Sequence, residues 1–222
     1  MCLSCADSFR LMEDLDFFKI MEHYREVLEE AWSCGATAIF FECPTLNLNP
    51  YCGMTQGYSR DRLLEINIRA VKVVKVVKKA FFDDDPQILI VGQIGPMANL
   101  CSAGSDFATS MECSMYHGLQ IMSFKEAGAD LVFAKGIGTA QEALGIANAC
   151  MAEEMPLVIF FDMDSEGNLA DGASLETAIE MIDGKTDSYP MYYGAKCFDP
   201  DSLLKLICLD EVWKHRVCEY EI

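Results

Sequence analysis

The chain has 222 residues, 51% of them hydrophobic and 23% charged, enough for one sizeable core and too few for two comfortable ones. Its formal net charge of -18 sets a negative potential over the surface, which disfavours nucleic-acid phosphates and acidic lipid as partners. No run approaches the ~18 apolar residues of a membrane span, and the start, MCLSCADSFRLMED, has no basic segment leading into an apolar one, so a cytoplasmic protein is expected.

Apolar residues recur at helical spacing from Leu15 to Trp32, and Gly35 closes that helix. Ala36 to Phe41 is a short apolar run that reads as a buried strand. A loop from Pro44 to Tyr58 precedes a second helix, Arg62 to Phe82. Lys72, Lys75 and Lys79 share one face of it, a solvated face opposite Val71, Val74 and Val77. A second strand, Ile88 to Val91, leads into a turn at Gly92 to Pro96 and a long polar loop to Ala108. The same alternation continues with a helix at Met111 to Ala127, a strand at Leu131 to Ala134 and a helix at Ala140 to Glu153. Then come a strand at Leu157 to Phe161, a helix at Leu175 to Ile182, a strand at Met191 to Ala195 and a last helix at Ser202 to Val217.

Strict alternation of helices with short, continuously apolar strands predicts an α/β fold with a parallel sheet covered by helices. No linker or low-complexity tract divides the chain, so residues 1–222 read as one domain. Periodicity alone leaves an open doubly wound sheet and a closed barrel as alternatives. In both, the chemistry gathers beyond the carboxyl ends of the strands. Those ends carry Glu42 and Cys43, then Gln93, Gly95, Asn99, Cys101, Ser105 and Asp106, then Lys135, then Asp162, Asp164 and Glu166, then Lys196, Cys197 and Asp199. His23, His117 and His215 all fall in helices, where a structural or surface role is expected.

Dinucleotide, nucleophile-elbow and Walker signatures are missing from the sequence. The eleven cysteines are odd in number and scattered, so free thiols in a reducing compartment are expected. Cys2 and Cys5 form the one C-x-x-C pair, with no second pair at zinc-finger spacing.

The order of short motifs resembles the homocysteine S-methyltransferase family over about residues 15 to 207. His23, Tyr24 and Ser33–Cys34–Gly35–Ala36 are similar to its H-x-x-Y-x-x-A-G-A passage from helix to strand. Val91–Gly92–Gln93–Ile94–Gly95–Pro96 resembles its G-S-[IV]-G-P turn, and Gly104–Ser105–Asp106–Phe107 its G-S-E-Y. Glu126 to Leu131 reads E-A-G-A-D-L as the family does, and Gln141–Glu142–Ala143 matches its x-E-A helix start. Leu169, Asp171–Gly172 and Ser174–Leu175 follow its L-x-D-G-x-x-L, and Gly194–Ala195–Lys196–Cys197 stands where the family has G-x-N-C.

The resemblance implies a (β/α)8 barrel of which this chain holds about strands two to six, truncated at both ends. The open sheet edges then invite pairing into a homo-oligomer. It implies methyl transfer to the thiol of homocysteine, giving methionine, with a homocysteine-like thiol as the small-molecule partner. Zinc, held by three cysteine thiolates, activates that thiol as thiolate in the family. Cys197 matches the first ligand, while the adjacent pair of the Gly-Gly-Cys-Cys motif has no counterpart here. One thiolate does not hold a catalytic zinc, which takes three protein ligands. A rearranged site of Cys43, Cys101 and Cys197 is one way to regain three.

Two further departures fall on strand ends. Lys135–Gly136 replaces the family's substrate-contacting E-T, setting a cation where a carboxylate would pair with the homocysteine ammonium. Phe41–Glu42–Cys43 replaces T-N-T, so Glu42 is a candidate to restore the lost negative charge. Glu42, Cys43, Gln93, Gly95 and Lys135 are thus the expected substrate-binding residues, Cys197 the expected metal ligand, and no catalytic residue is singled out. The competing readings are a catalytically inactive barrel serving as scaffold or assembly partner, and a lyase or aldolase using Lys135 as a Schiff-base amine, against which stands a plain Lys135 that reaches solvent or pairs with a carboxylate such as Glu42 or Asp162.

Overall fold

The structure, a computed structural model, describes residues 4–14, 17–82, 85, 87–97, 108–196, 204 and 212–221. Two helices open the chain, α1 (Cys5–Glu13) and α2 (Phe17–Ser33). Strands β1 (Ile39–Glu42), β2 (Ile88–Ile94), β3 (Leu131–Ile137), β4 (Leu157–Asp162) and β5 (Tyr192–Lys196) follow, the first four each succeeded by helix. The intervening helices are α3 (Pro50–Thr55), α4 (Arg60–Phe82), α5 (Ser110–Ala127), α6 (Ala140–Ala152) and α7 (Leu175–Thr186). A 3-10 turn at Val212–Arg216 leads into a last strand, β6 (Val217–Glu221).

All six strands are parallel, in the order of the sequence. They curl into a half-barrel with helices outside, an incomplete barrel of the (β/α)8 kind. Of the expected closing helix at Ser202–Val217, residues 202, 203 and 205–211 lie outside the described ones and Leu204 is helical; its end is corrected, since Val212–Arg216 is a 3-10 turn and Val217 opens a sixth strand where five were expected. The signal was the short alternation Glu219, Tyr220, Glu221, which continues the strand after a register shift against β5. Arg216 fixes this segment. Its guanidinium donates to both Asp183 oxygens, at 2.8 and 3.1 Å, and to the carbonyls of Met191 and Pro190, while lying 5.3 Å from the Tyr193 ring.

Alternation along each strand creates two cores. Ile39, Phe41, Ile90, Val132, Ile159 and Tyr193 face outward under α4 to α7. Val91, Leu131, Phe133, Val158 and Phe160 face inward, with Phe40, Leu89 and Tyr192 beside them. Phe133 is the hub of the inner layer, edge-on to both Phe40 and Phe160 at 5.1 and 5.3 Å between centroids.

Strands β2 and β3 run well past their expected ends. β2 runs through Gly92 and Gln93 to Ile94, so Gly92 is strand rather than turn. It is glycine because the Phe124 ring of α5 lies over it; a Cβ there would sit 2.3 Å from the ring. β3 also runs on past Ala134, with its register to β4 shifting between Ala134 and Ile137. Gly136, at φ +73°, supplies the left-handed residue that this bulge uses, and the bulge aims Lys135.

Helix α3 falls in the stretch read from sequence as a loop, and α1 in one to which no element was assigned. Ser4 caps α1 by accepting from the Asp7 amide, and Phe9 and Met12, three apart, are buried. Asn49 caps α3, with Pro50 in its first turn, a start signal within the supposed loop. Both helices close a separate small core of Phe9, Met12, Leu48, Leu63, Ile66 and Leu119. A disulfide joins Cys5 to Cys52 across it, which corrects the expectation of free thiols throughout. Cys34, Cys43, Cys113, Cys150 and Cys218 are free. No helix among the described residues is long and apolar enough to cross a membrane.

Candidate functional site

The inward-facing residues at the strand carboxyl ends form a polar layer above the aromatic one. Glu42 ends β1, Gln93 nears the end of β2 and Lys135 sits at the bulge of β3, each two residues beyond an inward apolar side chain: Phe40, Val91 and Phe133. The Lys135 ammonium lies 2.6 Å from Glu42 Oε1 and donates to it. Gln93 Nε2 donates to the other oxygen of the same carboxylate. Beneath, the ammonium rests 5.7 and 5.5 Å from the Phe133 and Phe160 ring centres. The lysine is thus fully engaged: a carboxylate on one side, two aromatic faces on the other. The pairing with Glu42 is one of the two carboxylate pairings expected for Lys135.

The backbone beneath Glu42 is fixed from behind. The Tyr24 hydroxyl of α2 donates to the Glu42 carbonyl at 2.7 Å. Burial pushes the Tyr24 phenol well above its ordinary value, with smaller contributions from Cys43 and Glu42, so it stays a donor. The Thr45 hydroxyl donates to the Gln93 carbonyl and accepts from the Gln93 amide, both at 2.9 Å. Gln120 of α5 donates to the Thr45 carbonyl at 2.9 Å, and Asn67 of α4 to Leu48 at 2.8 Å. The loop after β1 is therefore tied to β2, α4 and α5.

Cys43 does not join the mouth. It is fully buried in the outer core with Phe41, on the face opposite Glu42. Burial raises its thiol far above the ordinary range, with Asp130 and Glu42 adding to the shift, so thiolate is strongly disfavoured. Gly95 is buried, and a Cβ on it would sit 3.0 Å from the Leu46 carbonyl, so it lets the loop pack close. Asp162 ends β4 beside the bulge, its Oδ2 3.4 Å from where a Gly136 Cβ would be. Lys196 pairs in register with Asp162 at the end of β5. Asp164 accepts from the Glu166 and Asn168 amides at 2.9 Å and shapes its own turn. Asn99, Cys101, Ser105, Asp106, Cys197 and Asp199 lie outside the described residues.

A buried pair escaped the sequence reading. His117 of α5 is inaccessible to solvent, with Nε2 3.0 Å from Glu142 Oε1 of α6. The same carboxylate oxygen accepts from the Met97 amide at 2.5 Å. Thr139–x–x–Glu142 reads as a capping box, and Thr139 does cap α6, accepting from the Glu142 amide. The Glu142 side chain instead holds Met97, at the base of the loop after β2. His23 and His215 are exposed. Asp171 binds the Ala140 amide at 3.0 Å and so secures the start of α6 from a turn.

Zinc chemistry can be tested against these donors. Among the described residues no group of three or more His, Cys, Asp or Glu is placed to hold a metal. Cys43 points into the outer core, which removes it from a rearranged site with Cys101 and Cys197. The described residues do not fit the three-thiolate arrangement.

The sequence profile of homocysteine S-methyltransferases matches residues 25–218. No curated protein matches the chain. Its fold is similar to that of the homocysteine methyltransferase MmuM from Escherichia coli. The metallated form superposes with a TM-score of 0.71 at 17% identity, covering 91% of this chain and 70% of that one. The oxidised form gives 0.68 at 16%, covering 91% and 69%, and the apo form 0.62 at 16%, covering 90% and 67%.

Proposed function

The chain belongs to the homocysteine S-methyltransferase family, and from that premise we propose a barrel that keeps the family's polar mouth as a scaffold while its own residues do not run the zinc-assisted transfer. The family reaction moves a methyl group to the thiol of homocysteine and gives methionine. The observation that carries the proposal is the Glu42–Lys135 ion pair, 2.6 Å long, at the position where an ammonium-binding carboxylate would be wanted. Glu42 does restore a negative charge to the mouth, but Lys135 consumes it. A homocysteine ammonium arriving there meets a cation already seated on the carboxylate, and displacing it costs the pair and both aromatic contacts.

The buried, protonated Cys43 thiol supports the same conclusion. Cys197 remains the one residue placed by resemblance as a family zinc ligand, and a single thiolate leaves the ion without the ligands it takes. On this reading the protein works in the cytoplasm, next to methionine biosynthesis by descent rather than by turnover. Its partner is protein: a second copy, meeting the unpaired edges of β1 and β6.

The deciding experiment supplies the purified chain with zinc, homocysteine and either S-methylmethionine or a methyl-folate. Thiol consumption, methionine formation and bound zinc by elemental analysis are measured together, with Cys197→Ser beside the wild type. The expected result is neither turnover nor a zinc content that depends on Cys197. Methionine production by the wild-type chain would overturn the proposal and reinstate the enzyme.

A further inference from the structure

We propose that Cys5 and Cys52 form a thiol–disulfide switch that fastens α1 to the loop behind the barrel mouth. The two sulfurs are bonded in the structure, with Cα atoms 5.5 Å apart, inside the range that a disulfide spans without backbone movement. They lie 47 residues apart in sequence, so the bond closes a long loop that contains α2, β1 and the whole segment after β1. Five other described cysteines are free, and the bonded pair is set apart from them by the structure it joins.

Without the bond, helix α1 is held by non-covalent contacts, among them a surface ion pair from Glu13 to Arg62 of α4 at 3.8 Å. It is nine residues long, shorter than a helix that persists alone in water. Phe9 and Met12 are its buried apolar anchors, and Phe9 meets Tyr58 at 4.4 Å. Asn47 Nδ2 donates to Ser8 Oγ at 3.5 Å, a polar contact between the loop after β1 and α1. That loop is the one whose Thr45 clasps the backbone of Gln93, and Gln93 in turn binds the Glu42 carboxylate. Cys52 lies in α3, at the far end of the same loop. A covalent bond from Cys5 to Cys52 therefore adds a rigid attachment at the loop's end to a weak one near its middle. Opening it leaves α1 held by the packing of Phe9, Met12 and Leu11 and by side-chain contacts of Ser8 and Glu13 near its surface, and leaves the loop without its covalent brace.

The chemistry balances as a two-step exchange with a small disulfide of the glutathione type. Cys5 is partly exposed and Cys52 is only 3% exposed, so the small disulfide meets Cys5 first. The Cys5 thiolate attacks one sulfur, forming a mixed disulfide and expelling one small thiolate. Cys52, as thiolate, then displaces the second. Two protein thiols are oxidised, one small disulfide is reduced to two thiols, and the two protons pass from the cysteines to the leaving thiolates. A reduced dithiol or excess small thiol runs the same steps backwards. In a reducing compartment the pair stands open and closes under oxidation, which accounts for one bond among many free thiols.

The test equilibrates the full chain in glutathione buffers of stepped ratio, traps free thiols by alkylation and maps them by mass spectrometry. Hydrogen exchange of residues 5–13 and 43–49 is read at each step. Cys5 and Cys52 should lose label together as the buffer becomes oxidising, and α1 amides should exchange about tenfold or more slowly in the closed form. Cys5→Ser, at the partly exposed position, should hold α1 in its fast-exchanging state at every ratio. Independent labelling of the two cysteines, or α1 exchange that ignores the bond, overturns the switch.

Discussion

Glu42 and Lys135 meet at 2.6 Å across the strand that separates them: Glu42 ends β1, Lys135 stands on β3, and Gln93 on the intervening β2 donates to the same carboxylate. The pair is about one-third exposed on each side, at 35% and 30%, so solvent weakens but does not erase it. Lys135→Met and Glu42→Gln should each lower stability by about 0.5–1 kcal/mol in urea denaturation. A double-mutant cycle should return a coupling of about the same size, since both changes remove one contact. Additive losses would mean the two groups do not sense each other.

Two glycines carry rings in place of a side chain. A Cβ at Gly92 would lie 2.3 Å from Phe124, and one at Gly194 would lie 2.2 Å from Phe160. Gly92→Ala should cost about 1–3 kcal/mol through overpacking of the outer core, and Gly194→Ala a similar amount through the inner one. Pairing Gly92→Ala with Phe124→Leu should recover part of the loss, read as a partial return of the melting temperature.

Thiol reactivity should divide by face. Cys43 and Cys150 are fully buried, and burial is the first cause of the upward shift of each thiol. Cys34 and Cys218 are exposed. Alkylation of the native protein at pH 8 should modify Cys34 and Cys218 and spare Cys43 and Cys150 until denaturant is added. Rapid native labelling of Cys43 would place it in the mouth and reopen the rearranged metal site.

Alkali should unfold the protein partly through Cys113. Burial first, then the nearby Glu142 and Glu112, push its thiol from 9.0 to about 12. The unfolded chain ionises near 9.0 while the folded one stays neutral, so the stability present below 9.0 is lost as pH rises towards 12. Cys113→Ala should flatten that decline between pH 9 and 12 without changing the slope at neutral pH. An unchanged alkaline limb would assign the loss to other groups, among them Tyr116, which is also pushed up to about 12.

Removing Arg216 should loosen the last strand before anything else. Its guanidinium joins Asp183, Met191 and Pro190 to the turn that precedes β6. Arg216→Ala removes two of the donors to the Asp183 carboxylate, 17% exposed, to which the Tyr193 hydroxyl still donates at 2.7 Å, at a cost of about 1–3 kcal/mol. Hydrogen exchange should speed up in 217–221 while β2 to β4 stay protected.

The architecture was legible in the chain because five strands are short apolar runs between well-capped helices. The Thr109–Glu112 box and Gly128 bracket α5, and Ser174 starts α7. What resisted was facing. Cys43 follows a strand end in sequence and so looks like a mouth residue, yet the period of two that sends Glu42 inward sends Cys43 outward with Phe41. Lys135 and Gln93 were read as lying beyond their strands and are inside them, because a bulge and a glycine under a ring extend β3 and β2 further than apolar runs suggest. The His117–Glu142 contact joins residues 25 positions apart on neighbouring helices, and nothing local marks it. Helix α1 is visible only through the second core, since its two buried apolar residues, Phe9 and Met12, do not announce a helix without their packing partners.

The strands stand side by side in the order in which they are synthesised, Ile39 beside Ile88 at one edge and Tyr193 beside Val217 at the other. No strand has to wait for a partner made much later, and none must be threaded between two already joined. The sheet can therefore assemble vectorially on the ribosome, each new strand and its helix docking on the growing edge, with every closure reaching back only one unit. Such a polypeptide should tolerate slow translation well, since at each stage it exposes a single fresh edge rather than a scattered set of unpaired ones.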